Sequence, residues 1–435
     1  MGGIELSGED NGAMDPQSSA RFRSLTGPFR VIFLLCSTIG VLLAAHQILG
    51  LQSVTGLTLL ENSYLYLLVA LYLSNVFLIF PATSKAPRFH IPMYDVILFI
   101  TCLAVGGYFS LTGLTSLQEG WEFISPTWPV VVAFVFWLLI MEAARRAGGL
   151  AIAIIFGTFS LYPIFADASF MPALLSGLSQ DIVSTASYHI MSEESVLGIP
   201  LRVFGTLIVG FILFGVALQS TGGGRFFINL AFAVLGGVRG GPAKVAIFAS
   251  GLFGSLSGSV VTNVLTTGAM TIPAMKKTGY PPRYAGGIEA CASTGGVLMP
   301  PVMGATAFVM ASFLDISYAA VALAAVVPSI LYFFGLFVQI DSYAARNDIK
   351  GLPKSELPSV KKTISEGWYY IFGFLLLVYL LVYLKREAHA PFYATVALLA
   401  LSQFGKLQRQ DIWYYILGGG ILGFLGIRIR TSFSV

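Results

Sequence analysis

Apolar residues run along this chain in blocks separated by short polar or charged stretches. The blocks lie near 29–51, 62–80, 94–112, 128–144 and 149–166, then 201–220 and 317–340, then 367–384, 391–404 and 412–427. A helix needs about 20 apolar residues to cross a bilayer core, so the pattern predicts an all-α polytopic membrane protein of about 10–11 membrane segments. One stretch breaks the pattern. Between Lys244 and Lys276 lie 31 uncharged residues, two apolar arms around the polar centre Gly254-Ser255-Leu256-Ser257-Gly258-Ser259. Each arm holds about 13 residues or fewer, too short to cross. Glycine and serine at the centre favour a turn over helix. Arg239 and Lys244 precede the stretch, and Lys276, Lys277 and Arg283 follow it. Positive residues tend to stay cytoplasmic, which holds both ends on one side. The stretch therefore reads as a re-entrant helical hairpin. Non-helical backbone at that depth persists only where protein or a water-filled cavity surrounds it, so the tip points to a solute or ion site.

A second interrupted element follows at 284–314. Tyr284–Thr294 reads as helix, Gly295-Gly296 loosens it and Met299-Pro300-Pro301 breaks it, because proline lacks an N–H and restricts the residue before it. Val302–Leu314 is expected to resume the helix. Residues 226–238 are apolar but short, with Arg225 and Arg239 at their ends, and are expected along the inner face. Residues 167–200 carry Asp167, Asp181, Glu193 and Glu194 without Lys or Arg and are expected outside, with a helix of their own.

Flanking charges set the orientation of the first spans. Arg21, Arg23, Arg30, Lys85, Arg88, Arg145 and Arg146 alternate with the basic-free loops 52–61 and 113–127. The N-terminus is expected in the cytoplasm, with the first four spans as two antiparallel pairs. Residues 1–27 read as a disordered cytoplasmic tail, 28–147 as a four-helix membrane domain and 148–435 as a transport domain. After Lys362 the charge pattern frays, since Lys385, Arg386, Arg428 and Arg430 fall on the expected outer side.

Composition agrees with the patterning. Of 435 residues, 56% are hydrophobic and 11% charged, with mean hydropathy +0.80; soluble domains carry about 25% charged residues. No basic cluster suits nucleic acid. Cys36, Cys102 and Cys291 lie in apolar stretches without metal or redox spacing and read as small buried hydrophobes. His46, His90, His189 and His389 are scattered and read as interface residues. No phosphate-binding GxxxxGK[ST] occurs, nor HExxH or GxSxG near the hairpin. Coupling must then come from an ion gradient or a partner rather than ATP. A hairpin serine acting as a hydrolase nucleophile would need a base, and no histidine or lysine is placed for one. The chain is not expected to be an enzyme.

The candidate chemistry sits at the hairpin tip. Hard cations such as sodium are held by oxygen. Ser255, Ser257, Ser259, Thr262, Thr266 and Thr267 offer hydroxyls there, and Asn263 an amide. Gly254, Gly258 and Gly268 let backbone approach closely. The Gly295–Pro301 break frees further carbonyls and starts a new helix. No carboxylate lies in the hairpin, so the expected site is built of neutral dipoles, which favours sodium over a proton relay. Its ligands are expected among Ser257, Ser259, Asn263 and Gly295. Glu142 reads as an interfacial partner of Arg145 and Arg146. Glu289 can face the cavity or pair near the cytoplasmic surface.

Four motifs, in order, are Gly236-Gly237-Val238-Arg239-Gly240-Gly241, Phe253–Ser259, Ile272-Pro273-Ala274-Met275-Lys276-Lys277-Thr278-Gly279-Tyr280 and Gly296-Val297-Leu298-Met299-Pro300-Pro301. Together they resemble the large membrane subunit of tripartite ATP-independent periplasmic (TRAP) transporters. The four leading spans resemble the small membrane subunit fused ahead of it, and the whole looks like the permease paired with a TAXI-type receptor. The resemblance implies a multi-pass permease of a bacterial or archaeal inner membrane, without a cofactor beyond sodium as coupling ion. It implies an elevator built on two inverted hairpin repeats, with a periplasmic binding protein delivering an organic acid, often a carboxylate. It carries Ser255, Ser257, Gly258, Ser259, Thr262 and Asn263 onto the first hairpin tip, and Gly295, Gly296, Pro300 and Pro301 onto the unwound helix.

One departure stands out. Gly351–Val435 shows no second Gly/Ser-rich hairpin and no Pro-Pro break. The chain is expected to end before the second repeat is complete, as a truncated, split or inactive transporter lacking half the solute site. A receptor-independent carrier with similar hairpins is the competing reading.

Overall fold

A computed structural model describes residues 22–404 except 84 and 170. Residues 1–21 of the expected tail 1–27, the segment at 412–427 and the charges Arg428 and Arg430 lie outside the described residues; of the rest of that tail, Arg23 is enclosed in an ion pair with Asp95 and Gly27 begins the first helix. Contacts divide the chain into two units, Met1–Thr206 and Leu207–Val435.

In the first unit, helices α1 (Gly27–Ile48), α2 (Glu61–Ile79), α3 (Met93–Gln118) and α4 (Thr127–Gly148) are long and apolar enough to cross a membrane. Each begins where a proline or an extended residue frees the backbone and ends at a polar or glycine-bearing loop. α2 is the most enclosed, and α3 packs closely along it because small residues line the seam. A methyl at Gly113 would sit 2.7 Å from Ser63 Oγ, and Ser110 Oγ donates to Ser63 O at 2.9 Å. Close backbone approach of this kind is how apolar helices associate without a hydrophobic drive.

Three arginines tie the ends of this bundle together. Asp95, fully enclosed, meets Arg23 and Arg146 at 2.6 Å each, and Glu142 bonds both Arg145 and Arg146 at 2.7 Å. Glu142 is thus an ion-pair partner, as its neighbours in sequence suggested. The block at 149–166 is shorter than its composition implied: α5 (Leu150–Leu161) passes into a tight turn at Tyr162–Ile164, where Pro163 ends the ladder. The acidic stretch 167–200 holds its own helix, α6 (Ile182–Met191), capped by Asp181. The Ser184 hydroxyl, then the amides of Ser184 and Val183, hold the Asp181 carboxyl below the usual carboxylate range.

The boundary between the units falls within helix α7 (Ile199–Ser220). The second unit continues with α8 (Gly223–Leu235), α9 (Gly241–Ser257), α10 (Val260–Lys277), α11 (Pro282–Gly296), α12 (Ala305–Phe313), α13 (Tyr318–Arg346), α14 (Val360–Val378) and α15 (Ala390–Phe404). Among the described residues seven helices are long and apolar enough to cross, and three shorter apolar ones accompany them. All secondary structure among the described residues is helical. The core of this unit is the α9–α10–α11 sandwich, with α8 and α13 against α9. α13 exposes Leu323, Val327, Ile330, Leu331 and Phe334, a face suited to lipid.

Candidate functional site

α9 and α10 are joined by two residues, Gly258 and Ser259, and pack side by side. A two-residue link forces antiparallel arms, so Lys244 and Lys276 lie at the same end. The arms are 17 and 18 residues, longer than the 13 expected. The Gly/Ser centre proves mostly helical: α9 runs through Ser257, and only Gly258, at φ +60°, and the extended Ser259 leave the right-handed helical region. Packing on α11 explains the difference, since tertiary contacts override weak propensity. At 1.5 Å per residue each arm spans about 26 Å, just under a bilayer core. Neither arm is among the seven spans.

Four helix ends meet at the tip. α9 ends at Ser257, α10 starts at Val260, α11 ends at Gly296 and α12 starts after Gly304. The broken element resumes at Ala305, three residues later than the expected Val302, because the amide of Val302 is bound to Ser255 O at 3.0 Å and Met303 adopts φ +37°. The peptide Pro300–Pro301 is cis, and Tyr318 donates from its hydroxyl to Pro301 O at 2.7 Å. The hairpin and the break are pressed together. A methyl at Gly254 would meet the backbone of Gly296, and one at Gly296 would lie 2.6 Å from Ser250 O. Glycine at these two positions is what permits the contact.

The expected site residues gather here with different roles. Asn263 is fully buried and donates from Nδ2 to Ser250 O at 2.9 Å, clasping one arm to the other. Ser259 Oγ accepts from the amide of Thr262 at 3.4 Å and caps α10. Ser255 Oγ donates back to Leu252 O at 2.8 Å. Ser257 Oγ is buried without a hydrogen-bond partner. Gly258 lies against Met303 O, which a methyl there would approach to 2.5 Å. Gly295 is covered by Tyr332 and Phe333 of α13. Thr266 accepts from Gln219 Nε2 at 3.0 Å.

Glu289 was the residue hardest to place by sequence, and it carries a correction. The hairpin itself has no carboxylate, but one from α11 lies among its hydroxyls. Glu289 projects from α11 into the sandwich, fully enclosed. Its Oε1 accepts from Ser250 and Ser293 at 3.1 Å each and from Thr267; its Oε2 accepts from Thr271 at 2.5 Å. Helical spacing gave the only available signal: 267 and 271 share one face of α10, as 289 and 293 share one face of α11. Which faces meet is set by packing. Cys291, expected to be buried, is exposed on the opposite side of α11.

Among the described residues, the all-helical fold, the seven membrane-length helices and the hairpin locked to a broken helix fit a polytopic α-helical membrane transporter. The comparisons make this specific. The family model "Tripartite ATP-independent periplasmic transporter, DctM component" matches residues 135–421, more than half of the chain. The chain belongs to that family, one of transporters rather than enzymes. It is similar to the C4-dicarboxylate TRAP transporter large permease protein DctM of Pseudomonas aeruginosa, 31% identical over 225 residues, covering 50% of this chain and 52% of that protein. The protein of the same name from Vibrio cholerae is 30% identical over 247 residues, covering 56% and 49%. The ectoine/5-hydroxyectoine TRAP transporter large permease protein UehC of Ruegeria pomeroyi is 26% identical over 269 residues, covering 60% of each. The chain thus spans about half the length of the curated relatives it matches first.

Proposed function

We propose that this chain is the permease component of a secondary transporter that takes up a small organic acid delivered by a periplasmic binding protein. One observation carries the reading: the hairpin tip and the broken helix meet as four helix ends around buried polar groups. Helix N-termini there favour a carboxylate, and carbonyl ends favour a cation. Names of similar permeases point the same way, toward C4-dicarboxylates and other small polar solutes. Sodium is the proposed coupling ion, with Ser257 Oγ, which no protein group engages, and the neighbouring carbonyls as its ligands. The second unit is proposed to move as an elevator within an inner membrane, N-terminus inside. The leading four spans are proposed to act as a fused small subunit, of the type paired with TAXI receptors.

The test is uptake in proteoliposomes holding the permease and its solute-binding protein, with radiolabelled organic acids outside. Accumulation should require both the binding protein and an inward sodium gradient. Ser257→Ala should reduce sodium-dependent uptake at least about tenfold, the loss of one buried charge-bearing contact. Uptake without the binding protein would favour a receptor-independent carrier. Sodium-independent uptake would remove the ion assignment.

A further inference from the structure

The Glu289 cluster supports a function beyond a neutral sodium site, and it rests on the transport reading above. All four hydroxyls around the carboxyl, on Ser250, Thr267, Thr271 and Ser293, are completely enclosed. Gly268 brings α10 within reach, since a methyl there would sit 3.0 Å from Glu289 Cγ. A buried carboxylate needs a cation or must become neutral. Among the described residues no basic side chain lies within ion-pair distance of Glu289. The charged and titratable groups on the packed helices are spent or placed elsewhere. On α9, Lys244 pairs with Asp341 of α13 at 2.6 Å. On α10, Lys276 and Lys277 stand in the last turn, and Lys277 pairs with Glu356 at 2.7 Å. On α11, Arg283 and Tyr284 occupy the first turn, and Cys291 is exposed. On α13, the Tyr332 hydroxyl donates to Cys291 O, Tyr343 stacks on Tyr284, and Arg346 ends the helix.

Contact distances separate a proton from a metal ion. Each hydroxyl donates one hydrogen. Thr267 and Thr271 also lie 2.8 and 3.0 Å from the carbonyls of Asn263 and Thr267, the usual back-bonds of helical threonine. The carboxyl has all four hydroxyls for neighbours, and Ser250 and Thr267 also lie 3.1 Å from each other. In a neutral acid this bond reverses: Oε2 donates its hydrogen to Thr271 Oγ1, and the Thr271 hydrogen turns to the Thr267 carbonyl of its own helix. A hard cation held at about 2.4 Å would spread its ligand oxygens to about 3.4 Å apart, wider than the contacts here. The cluster is closed around hydrogen bonds.

We propose that Glu289 is a proton-carrying group of the transport unit. Enclosed, it is the neutral acid. When the sandwich opens to water, the O–H bond breaks, the proton passes to water and the carboxylate remains. Each cycle would move a proton together with the solute, alongside any sodium bound at the tip.

Infrared difference spectroscopy of the purified chain tests this without transport. Wild type minus E289Q should show a protonated-carboxyl C=O band that shifts in D2O. The T271V variant, which keeps the acid but removes its partner hydroxyl, should shift the same band, and serves if E289Q does not fold. Absence of such a band in wild type overturns the proposal. In proteoliposomes E289Q should lose the response to an imposed pH gradient while keeping its sodium response. A retained pH response with sodium response intact also overturns it; loss of all uptake dependence on sodium in wild type would instead count against the transport reading.

Discussion

Asn263 shows how much one side chain can organise. Its amide crosses the hairpin to Ser250 O, and its carbonyl oxygen takes the Thr267 hydroxyl at 3.3 Å. That hydroxyl also reaches Glu289, so the clasp and the buried acid share a donor. Gly254 and Gly296 matter for the opposite reason, their lack of a side chain. Gly254→Ala should cost about 1–3 kcal/mol of stability, because its methyl would strike the Gly296 backbone and sit 2.8 Å from Asn263 Nδ2. Gly287→Ala, on the same α11 but with open space around it, should be neutral or gain about 0.5–1 kcal/mol. Thermal unfolding in detergent compares the two; equal effects would mean that the hairpin and break are not in contact. The tip residues were legible because Gly and Ser interrupt an apolar run. Glu289 was not, since a lone acid on a helix does not reveal which helix faces it.

Among the helices, the hairpin was readable from the charge at its ends and its Gly/Ser centre, while its arms run longer than the 13 residues expected. Serines that read as turn formers stay helical where α11 supports them, leaving a turn of two residues. The break at Pro300-Pro301 was likewise visible, and its exit shifted to Ala305 because Val302 is spent on Ser255. Helix α6 gives a simpler case. Its Asp181 cap is held below the ordinary range by Ser184 and backbone amides. A depressed value means the cap contributes above the ordinary carboxylate range and fades as pH falls through the lowered one. Asp181→Ala should speed hydrogen exchange at Val183 and Ser184 at neutral pH. The difference from wild type should disappear once acid protonates Asp181, and a difference that persists there would assign the protection to something else.

For the molecule as a whole, hydropathy and charge conveyed an all-α membrane protein, and the first unit supports its bundle with an ion cluster no periodicity displays. Arg23, Asp95 and Arg146 come from three separate segments and are all but closed to solvent. Asp95→Ala would strand two buried guanidinium groups and should cost about 3–5 kcal/mol, seen as a lower unfolding temperature. Arg145→Ala, half outside the cluster, should cost far less.

The central claim is that α9 and α10 enter the membrane and return to the side they came from. Single cysteines at the exposed positions 239 and 276, in a background without the three native cysteines, test it with a membrane-impermeant maleimide. Both positions should react from the same face of the cell membrane, each blocked or each labelled together. Labelling of one from outside and the other only after permeabilisation would contradict the re-entrant hairpin, and with it the site at its tip.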